Sequence, residues 1–120
     1  MSVFHYCVYD DANFTDLLRT TYKGKNIGEA AIEVKNINSQ TKLEDCQLIY
    51  FPNNSPADFL RKVSEHAILS VGIQKDFIEN NGVIYLFVED QKLRFYINNN
   101  VAINAGLKIS SQLLKLSKEP

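Results

Sequence analysis

Two apolar segments most constrain how this chain can fold. Residues 46–51 form an apolar and aromatic run that ends at Pro52, and residues 83–88 are apolar at both odd and even positions. A strand with two apolar faces must be covered on both sides, which is typical of the centre of a sheet. We therefore expect both segments to be buried central strands of one sheet.

The remaining segments alternate between strand-like and helix-like patterns. Residues 4–9, 31–37 and 68–73 are rich in β-branched and aromatic residues, as strands are. Residues 14–22 carry apolar side chains at helical spacing, and a second helix is predicted after Pro56. This order predicts an α/β fold. We expect a single three-layer domain with a twisted mixed sheet of about six strands, mostly parallel at first and ending in an antiparallel hairpin, with helices on both faces.

Local signals mark the ends of several elements. Asp11 is among the residues predicted to cap the first helix, and Gly24 is predicted to end it. Ser55 is predicted to cap the second helix, with Pro56 at its first position. Ser110 offers a cap for the last helix.

Charge and hydropathy exclude two classes of partner. The 120-residue chain has a formal net charge of −1 and no run of Lys or Arg, so we expect no binding to nucleic acid. The longest apolar runs have only about five or six residues, too few for a transmembrane helix, so we expect no direct membrane insertion. Residues 1–7 lack the basic and apolar regions of a signal peptide and are predicted to begin the first strand.

No catalytic or cofactor-binding motif is found in the sequence. It contains no G-x-G-x-x-G sequence, no phosphate-binding loop and no G-x-S-x-G elbow. The loop at residues 10–13, which would face a phosphate in a nucleotide-binding fold, is acidic and lacks glycine. His5 and His66 are interpreted as structural or surface residues. We therefore expect a protein that is not an enzyme and has no cofactor and no metal site.

The two cysteines, Cys7 and Cys46, have no spacing suited to a metal. They are either two buried, inert thiols in strands or the two halves of a disulfide. A disulfide would imply an oxidising compartment. The residues alone leave both alternatives open.

The last predicted strand is a candidate contact surface. Leu93, Phe95 and Ile97 alternate with Arg94 and Tyr96, which predicts one buried and one polar, exposed face. Tyr and Arg are enriched at the energetic centres of protein interfaces. Arg94 and Tyr96 are therefore candidate interface residues, with an ordinary solvated strand face as the alternative.

Three segments of the chain form a specific combination: residues 45–50 (DCQLIY), residues 94–98 (RFYIN) and residues 105–114 (AGLKISSQLL). Together they resemble the YfiR/HmsC family of bacterial periplasmic regulators, and the likeness extends from Tyr6 to Leu116. The resemblance implies a periplasmic α/β protein that works by protein–protein contact. The best understood members bind the periplasmic part of an inner-membrane diguanylate cyclase and repress it, which lowers cyclic-di-GMP output and biofilm formation.

The resemblance has further implications for this chain. The implied partner is the periplasmic part of a diguanylate cyclase or of a membrane sensor, with a homodimer as a further option. Cys7 and Cys46 fall where the family has strand cysteines, which favours a disulfide or redox-active pair. Tyr96 stands where the family has a glutamate. The family usually has a helical segment and a secretion signal before the first strand. Residues 1–120 are therefore interpreted as an excised domain, an N-terminally trimmed one or a divergent member of the family. The alternative function is a sensor domain that binds a small ligand near the carboxyl ends of the strands.

Overall fold

The computed structural model describes residues 3–117, which form seven strands and four α-helices. The strands are β1 (Val3–Tyr9), β2 (Asn26–Ile27), β3 (Ala30–Ile37), β4 (Leu48–Phe51), β5 (Leu69–Gly72), β6 (Ile84–Glu89) and β7 (Lys92–Ile97). The helices are α1 (Ala12–Tyr22), α2 (Ala57–Val63), α3 (Asn99–Asn104) and α4 (Ser111–Leu116), and a 3-10 turn covers Leu43–Asp45.

All seven strands belong to one sheet in the order β2-β3-β1-β4-β5-β6-β7. The five strands from β3 to β6 in this order pair in parallel, and β6 and β7 form an antiparallel hairpin. This confirms the predicted α/β fold and its C-terminal hairpin. The sheet has seven strands where about six were predicted. The additional strand is β2, whose two residues pair antiparallel with β3. At the hairpin turn, Asp90 and Gln91 have φ of 52° and 63°, as in a type I′ turn.

One face of the sheet carries α2 and most of the buried core. The buried cluster includes Cys7, Tyr9, Ile49 and Phe51 from β1 and β4, and Phe59, Leu60 and Val63 from α2. The ring centroid of Phe59 lies 5.0 Å from that of Tyr9 and 6.1 Å from that of Phe51. Burying one such side chain contributes about 1.5–3 kcal/mol, so this cluster anchors α2 to the sheet.

The opposite face of the sheet carries α1 over its β1 and β3 side. The ring centroid of Tyr22 lies 6.0 Å from that of Tyr6, and that of Phe14 lies 5.3 Å from that of Tyr50. The carboxylate of Asp11 accepts the N–H of Phe14 at 2.9 Å, so the predicted cap is confirmed. Helices therefore lie on both faces, as expected.

The other predicted element ends can also be checked. Gly24 directly follows the C-cap residue of α1 and has a φ of 76°, so its predicted role at the end of the helix is confirmed. The hydroxyl of Ser110 accepts the N–H of Leu113 at 3.1 Å, so the predicted cap of α4 is also confirmed. The prediction for α2 is wrong. Pro56 is not its first helical residue, because its ψ of 129° is extended, and Pro56 itself stands at the cap position that was assigned to Ser55.

The predicted strand at residues 46–51 is shorter than expected, since β4 begins at Leu48. The 3-10 turn before it ends at Asp45 and is capped by Cys46, whose N–H donates to the carbonyl oxygen of Leu43 at 3.2 Å. Cys46 therefore lies outside the strand ladder, although its side chain is buried in the core.

Phe77 anchors the loop between β5 and β6. Its fully buried ring lies between Gly72 and Gly82, where an added β-carbon would collide with it. The buried hydroxyl of Ser70 also accepts the N–H of Val83 at 2.9 Å. These contacts fix the position at which β6 enters the sheet beside β5.

Candidate functional site

Cys7 and Cys46 are joined by a disulfide in the core of the domain. Cys7 lies on β1, Cys46 follows the 3-10 turn, and their Cα atoms are 6.0 Å apart. Their side chains are 0% and 4% exposed. Of the two alternatives that the sequence left open, the structure contains the disulfide. A redox role for it stays a prediction.

Hydrogen bonds brace the same junction between β1 and β4. The N–H of His5 donates to Oε1 of Gln47 at 2.6 Å, and the N–H of Gln47 donates to the carbonyl oxygen of His5 at 3.2 Å. His5 Nε2 also lies 4.0 Å from Glu33 Oε2. The disulfide and these bonds together tie the centre of β1 to the entry of β4.

The predicted interface residues Arg94 and Tyr96 lie on β7, on the α2 face of the sheet. Tyr96 is opposite Tyr85 on β6, and Arg94 is opposite Phe87. The ring centroid of Tyr96 lies 4.8 Å from that of Phe87 and 6.0 Å from that of Tyr85. Lys92, at the start of the same face, is exposed, but Arg94 and Tyr96 are half-buried, so the prediction that these two residues lie on an exposed face is wrong. The reason is that their neighbours on β6 are aromatic and cover them.

Arg94 has an unsatisfied donor in this setting. Its Nε atom is buried and has no hydrogen-bond partner among residues 3–117. A buried donor without an acceptor costs about 1–3 kcal/mol. An aromatic face or an acceptor from another molecule would therefore stabilise Arg94.

The opposite face of β5, β6 and β7 is apolar and partly uncovered. The residues that alternate onto this face are Leu69, Val71 and Ile73, then Ile84, Leu86 and Val88, then Leu93, Phe95 and Ile97. Ile73 is 42% exposed, Val88 is 73% exposed and Leu93 is 67% exposed, while Leu86 and Phe95 are half-buried. We call Ile73, Leu86, Val88, Leu93 and Phe95 the open face.

The open face corrects one prediction about the last strand. Leu93, Phe95 and Ile97 were expected to form a buried face, but only Ile97 is buried. The physical reason is the position of α1, which packs on β3 at the other side of the sheet. One sequence signal marks the exposure: Val88 and Leu93 flank the polar hairpin turn, where little chain is available to cover them.

A groove of about 460 Å³ follows the open face near the carboxyl ends of β4, β5 and β6. It is lined by Tyr50, Ile73, Leu86, Phe87, Val88 and Leu93. Burial raises the pKa of the Tyr50 phenol, and its hydroxyl can donate a hydrogen bond. The groove is thus apolar, with one polar group at its side.

Polar side chains beyond the ends of β1 and β4 bond mainly to one another. Nδ2 of Asn53 donates to Oδ2 of Asp11 at 2.8 Å, and the amide of Gln74 donates to the carbonyl oxygen of Asn53. The N–H of Phe14, followed by the Asn53 amide, holds the pKa of Asp11 below its usual value. This corner, where ligands bind in many open α/β sheets, is braced by its own side chains.

His66 lies beside a second, polar cavity of about 250 Å³. The cavity is lined by Gln40, Thr41, Lys42, Leu43, Glu44, Lys62 and His66. The Nδ1 atom of His66 is 3.0 Å from the carbonyl oxygen of Lys62, so the ring is tied to the end of α2. Within residues 3–117, no group of three His, Cys, Asp or Glu side chains is placed to hold a metal ion.

Comparison with known families shows to which family the chain belongs. A family model described as YfiR/HmsC-like matches residues 1–118, nearly the whole sequence. The chain belongs to the YfiR/HmsC-like family. This family consists of periplasmic regulators rather than enzymes. A search of the curated proteins finds no match. In the described part of this YfiR/HmsC-like chain, no helix is long and apolar enough to cross a membrane.

Proposed function

We propose that this YfiR/HmsC-like chain is a non-enzymatic periplasmic regulatory domain that acts by protein–protein contact. Its partner is the periplasmic part of an inner-membrane diguanylate cyclase or sensor, and its binding lowers cyclic-di-GMP output and biofilm formation. The open face is the contact surface. The Cys7–Cys46 disulfide makes the stability of the domain, and with it the binding, depend on redox state. Family membership supports the periplasmic regulatory context.

The observation that carries this proposal is the exposure of Val88 and Leu93. The two residues are cross-strand partners and are 73% and 67% exposed, with Ile73 also exposed on the same face. Fully burying a Val or Leu side chain contributes about 1.5–3 kcal/mol, and this domain leaves most of that contribution unused. A contiguous apolar surface of this kind is typical of a site that another molecule covers.

The chemistry of the surface indicates what kind of partner fits it. The strand positions that alternate onto the open face carry no charged residue, whereas the adjoining end of the hairpin contains Glu89, Asp90 and Lys92. An apolar centre with a charged rim is the usual anatomy of a protein interface. The partner is therefore expected to present an apolar patch at its centre and polar groups around it.

Capture of the cyclase periplasmic part by immobilised chain tests this proposal, together with cyclic-di-GMP levels in cells that carry both proteins. Leu93→Lys should abolish capture and raise cyclic-di-GMP. Leu17→Lys is the matched control, because Leu17 is a leucine of similar exposure, 60%, that belongs to α1 and not to the open face. Equal capture by both variants, or no capture by the unmodified chain, would contradict the proposal.

The groove supports a second candidate, a sensor that binds a small ligand. Its volume of about 460 Å³ lies within the usual range for ligand pockets, about 300–1,000 Å³, and its lining is mostly apolar. Thermal-shift screening against amino acids, nucleotides and cell-wall fragments tests this candidate. A ligand that raises the melting temperature of the unmodified chain but not of Leu93→Lys would favour the sensor over the regulator.

A further inference from the structure

β7 is the last strand of the sheet, and within residues 3–117 no other strand pairs with its outer side. The N–H of Asn98 donates to the carbonyl oxygen of Val83 at 2.7 Å, which fixes the pattern of the hairpin ladder. In an antiparallel pair, residues alternate between pointing their N–H and C=O groups toward the partner strand and away from it. Leu93, Phe95 and Ile97 therefore direct these groups outward, away from β6.

The edge carries little of the usual protection against strand pairing. Many edge strands carry a proline, a bulge or an inward-pointing charge. The hairpin register of β6 and β7 runs without a bulge from Ile84 and Ile97 to Glu89 and Lys92. β7 contains no proline. Its charged residues are Lys92, which is exposed at the start of the strand, and Arg94, which is half-buried on the α2 face. The rest of the edge can accept a strand.

We propose that β7 pairs antiparallel with β7 of a second copy of the chain, with Phe95 directly opposite the partner's Phe95. A two-fold axis perpendicular to the sheet relates the copies. The two seven-stranded sheets then form one continuous sheet, and the two open faces lie on the same side of it. This inference concerns self-association and stands independently of the regulatory partner proposed above.

The side chains of β7 select this register. With Phe95 at the axis, Arg94 lies opposite the partner's Tyr96, and by symmetry Tyr96 lies opposite the partner's Arg94. Each half-buried Arg94 then gains an aromatic neighbour, a contact that contributes about 0.5–2 kcal/mol. Leu93 lies opposite the partner's Ile97, and Lys92 lies opposite the partner's Asn98. No like charges face each other.

Neighbouring registers are less favourable. Placing Arg94 at the axis puts it opposite the partner's Arg94, and like charges directly opposite each other are destabilising. Placing Leu93 at the axis sets Lys92 opposite the partner's Arg94, and symmetry repeats this pair of like charges on the other side of the axis. Placing Tyr96 at the axis moves Leu93 opposite Asn99, which already belongs to α3, so the ladder becomes shorter.

The seam is short, so a weak dimer is expected. A six-residue edge pairing lies at the low end of interface sizes, where association is transient. Sedimentation equilibrium over a wide concentration range should show reversible conversion of monomer to dimer for the unmodified chain. A single monomeric species up to the highest soluble concentration would overturn the proposal.

Single cysteine variants test the register. Because the two native cysteines are joined to each other, an introduced cysteine is the free thiol of the chain. In the proposed seam the Cα atoms of residue 95 and its counterpart are about 5.5 Å apart, within the range for a disulfide. Residue 94 and its counterpart are about 7–8 Å apart, as are residue 96 and its counterpart, which is too far.

Phe95→Cys should therefore form a covalent dimer under mild oxidation at least ten times faster than Arg94→Cys or Tyr96→Cys. Leu17→Cys, on the exposed surface of α1, measures the rate of random collision. Peptide mapping without reductant checks that the native Cys7–Cys46 link is intact in each variant. Faster crosslinking at 94 or 96, or a rate for Phe95→Cys no greater than that for Leu17→Cys, would overturn the register and the seam.

Discussion

Reducing the Cys7–Cys46 disulfide should destabilise the domain substantially. The cysteines are separated by 39 positions in the sequence, so the bond closes a loop of about 40 residues. On the chain-entropy relation, a loop of about that length restricts the unfolded state by about 13 cal/mol/K, or about 4 kcal/mol at 25 °C. Since domains are usually stable by only about 5–15 kcal/mol, this loss is a large fraction of the total.

Urea denaturation of the oxidised and the reduced chain measures this effect. With a typical dependence of about 2 kcal/mol per molar urea, the midpoint of the reduced chain should fall by about 2 M. Reduction keeps both sulfur atoms in place and removes the covalent link, so it isolates the crosslink from the packing. The Cys7→Ala, Cys46→Ala double variant is the control, because reductant should not change its midpoint.

The rate of reduction gives an independent check on the same reasoning. Both sulfurs are buried, with Cys7 0% and Cys46 4% exposed, so a reductant reaches them only when the core opens. Reduction should be slow in buffer and should accelerate as urea is added below the midpoint. Superimposable urea curves for the oxidised and reduced chain would refute the entropic account and remove any basis for redox control.

Three further outcomes follow from the core and from burial. Gly82→Ala should destabilise the domain by about 1–3 kcal/mol in chemical denaturation, because the added methyl meets the Phe77 ring, and the cost should shrink in a Phe77→Leu background. Ser70→Ala should cost about 1–3 kcal/mol by leaving the buried N–H of Val83 without an acceptor, whereas an unchanged midpoint would contradict that bond. Burial raises the pKa of Tyr6 from 10.0 to about 12. The stability that the neutral Tyr6 phenol contributes should therefore be complete below pH 10 and lost as the pH rises through 12. In an ultraviolet titration, the tyrosine that ionises near pH 12 in the unmodified chain should be missing from Tyr6→Phe.

The sheet could be predicted from the sequence because its signals are local. The apolar runs at residues 46–51 and 83–88 specify strands that need cover, and the polar turn at Asp90 and Gln91 specifies a hairpin. Asp11 and Ser110 cap their helices through side chains that lie three residues before the N–H they accept. Patterns of this range require no knowledge of the rest of the chain.

The candidate site could not be predicted in the same way. Alternation along β7 identifies which of Leu93, Arg94, Phe95 and Tyr96 share a face, but not which face another element covers. That depends on where α1 packs. Because α1 lies over β3, the apolar residues of β7 are partly open, while the aromatic side chains of β6 cover Arg94 and Tyr96.

The disulfide shows a similar division between local and long-range information. The sequence left two alternatives for Cys7 and Cys46, because nothing nearby in the chain specifies their distance. The distance of 6.0 Å between their Cα atoms results from the parallel pairing of β1 with β4 and from the turn before β4. Family resemblance, rather than spacing, favoured the bonded pair.

Isothermal titration calorimetry of the diguanylate cyclase periplasmic part with the chain tests most directly whether the open face is the regulatory contact surface. We expect saturable binding by the unmodified chain and by Leu17→Lys, with equal dissociation constants. Leu93→Lys should bind at least about 30-fold more weakly, as expected when a central interface residue worth about 2 kcal/mol is lost. If Leu93→Lys binds as tightly as Leu17→Lys, the open face is not the contact surface.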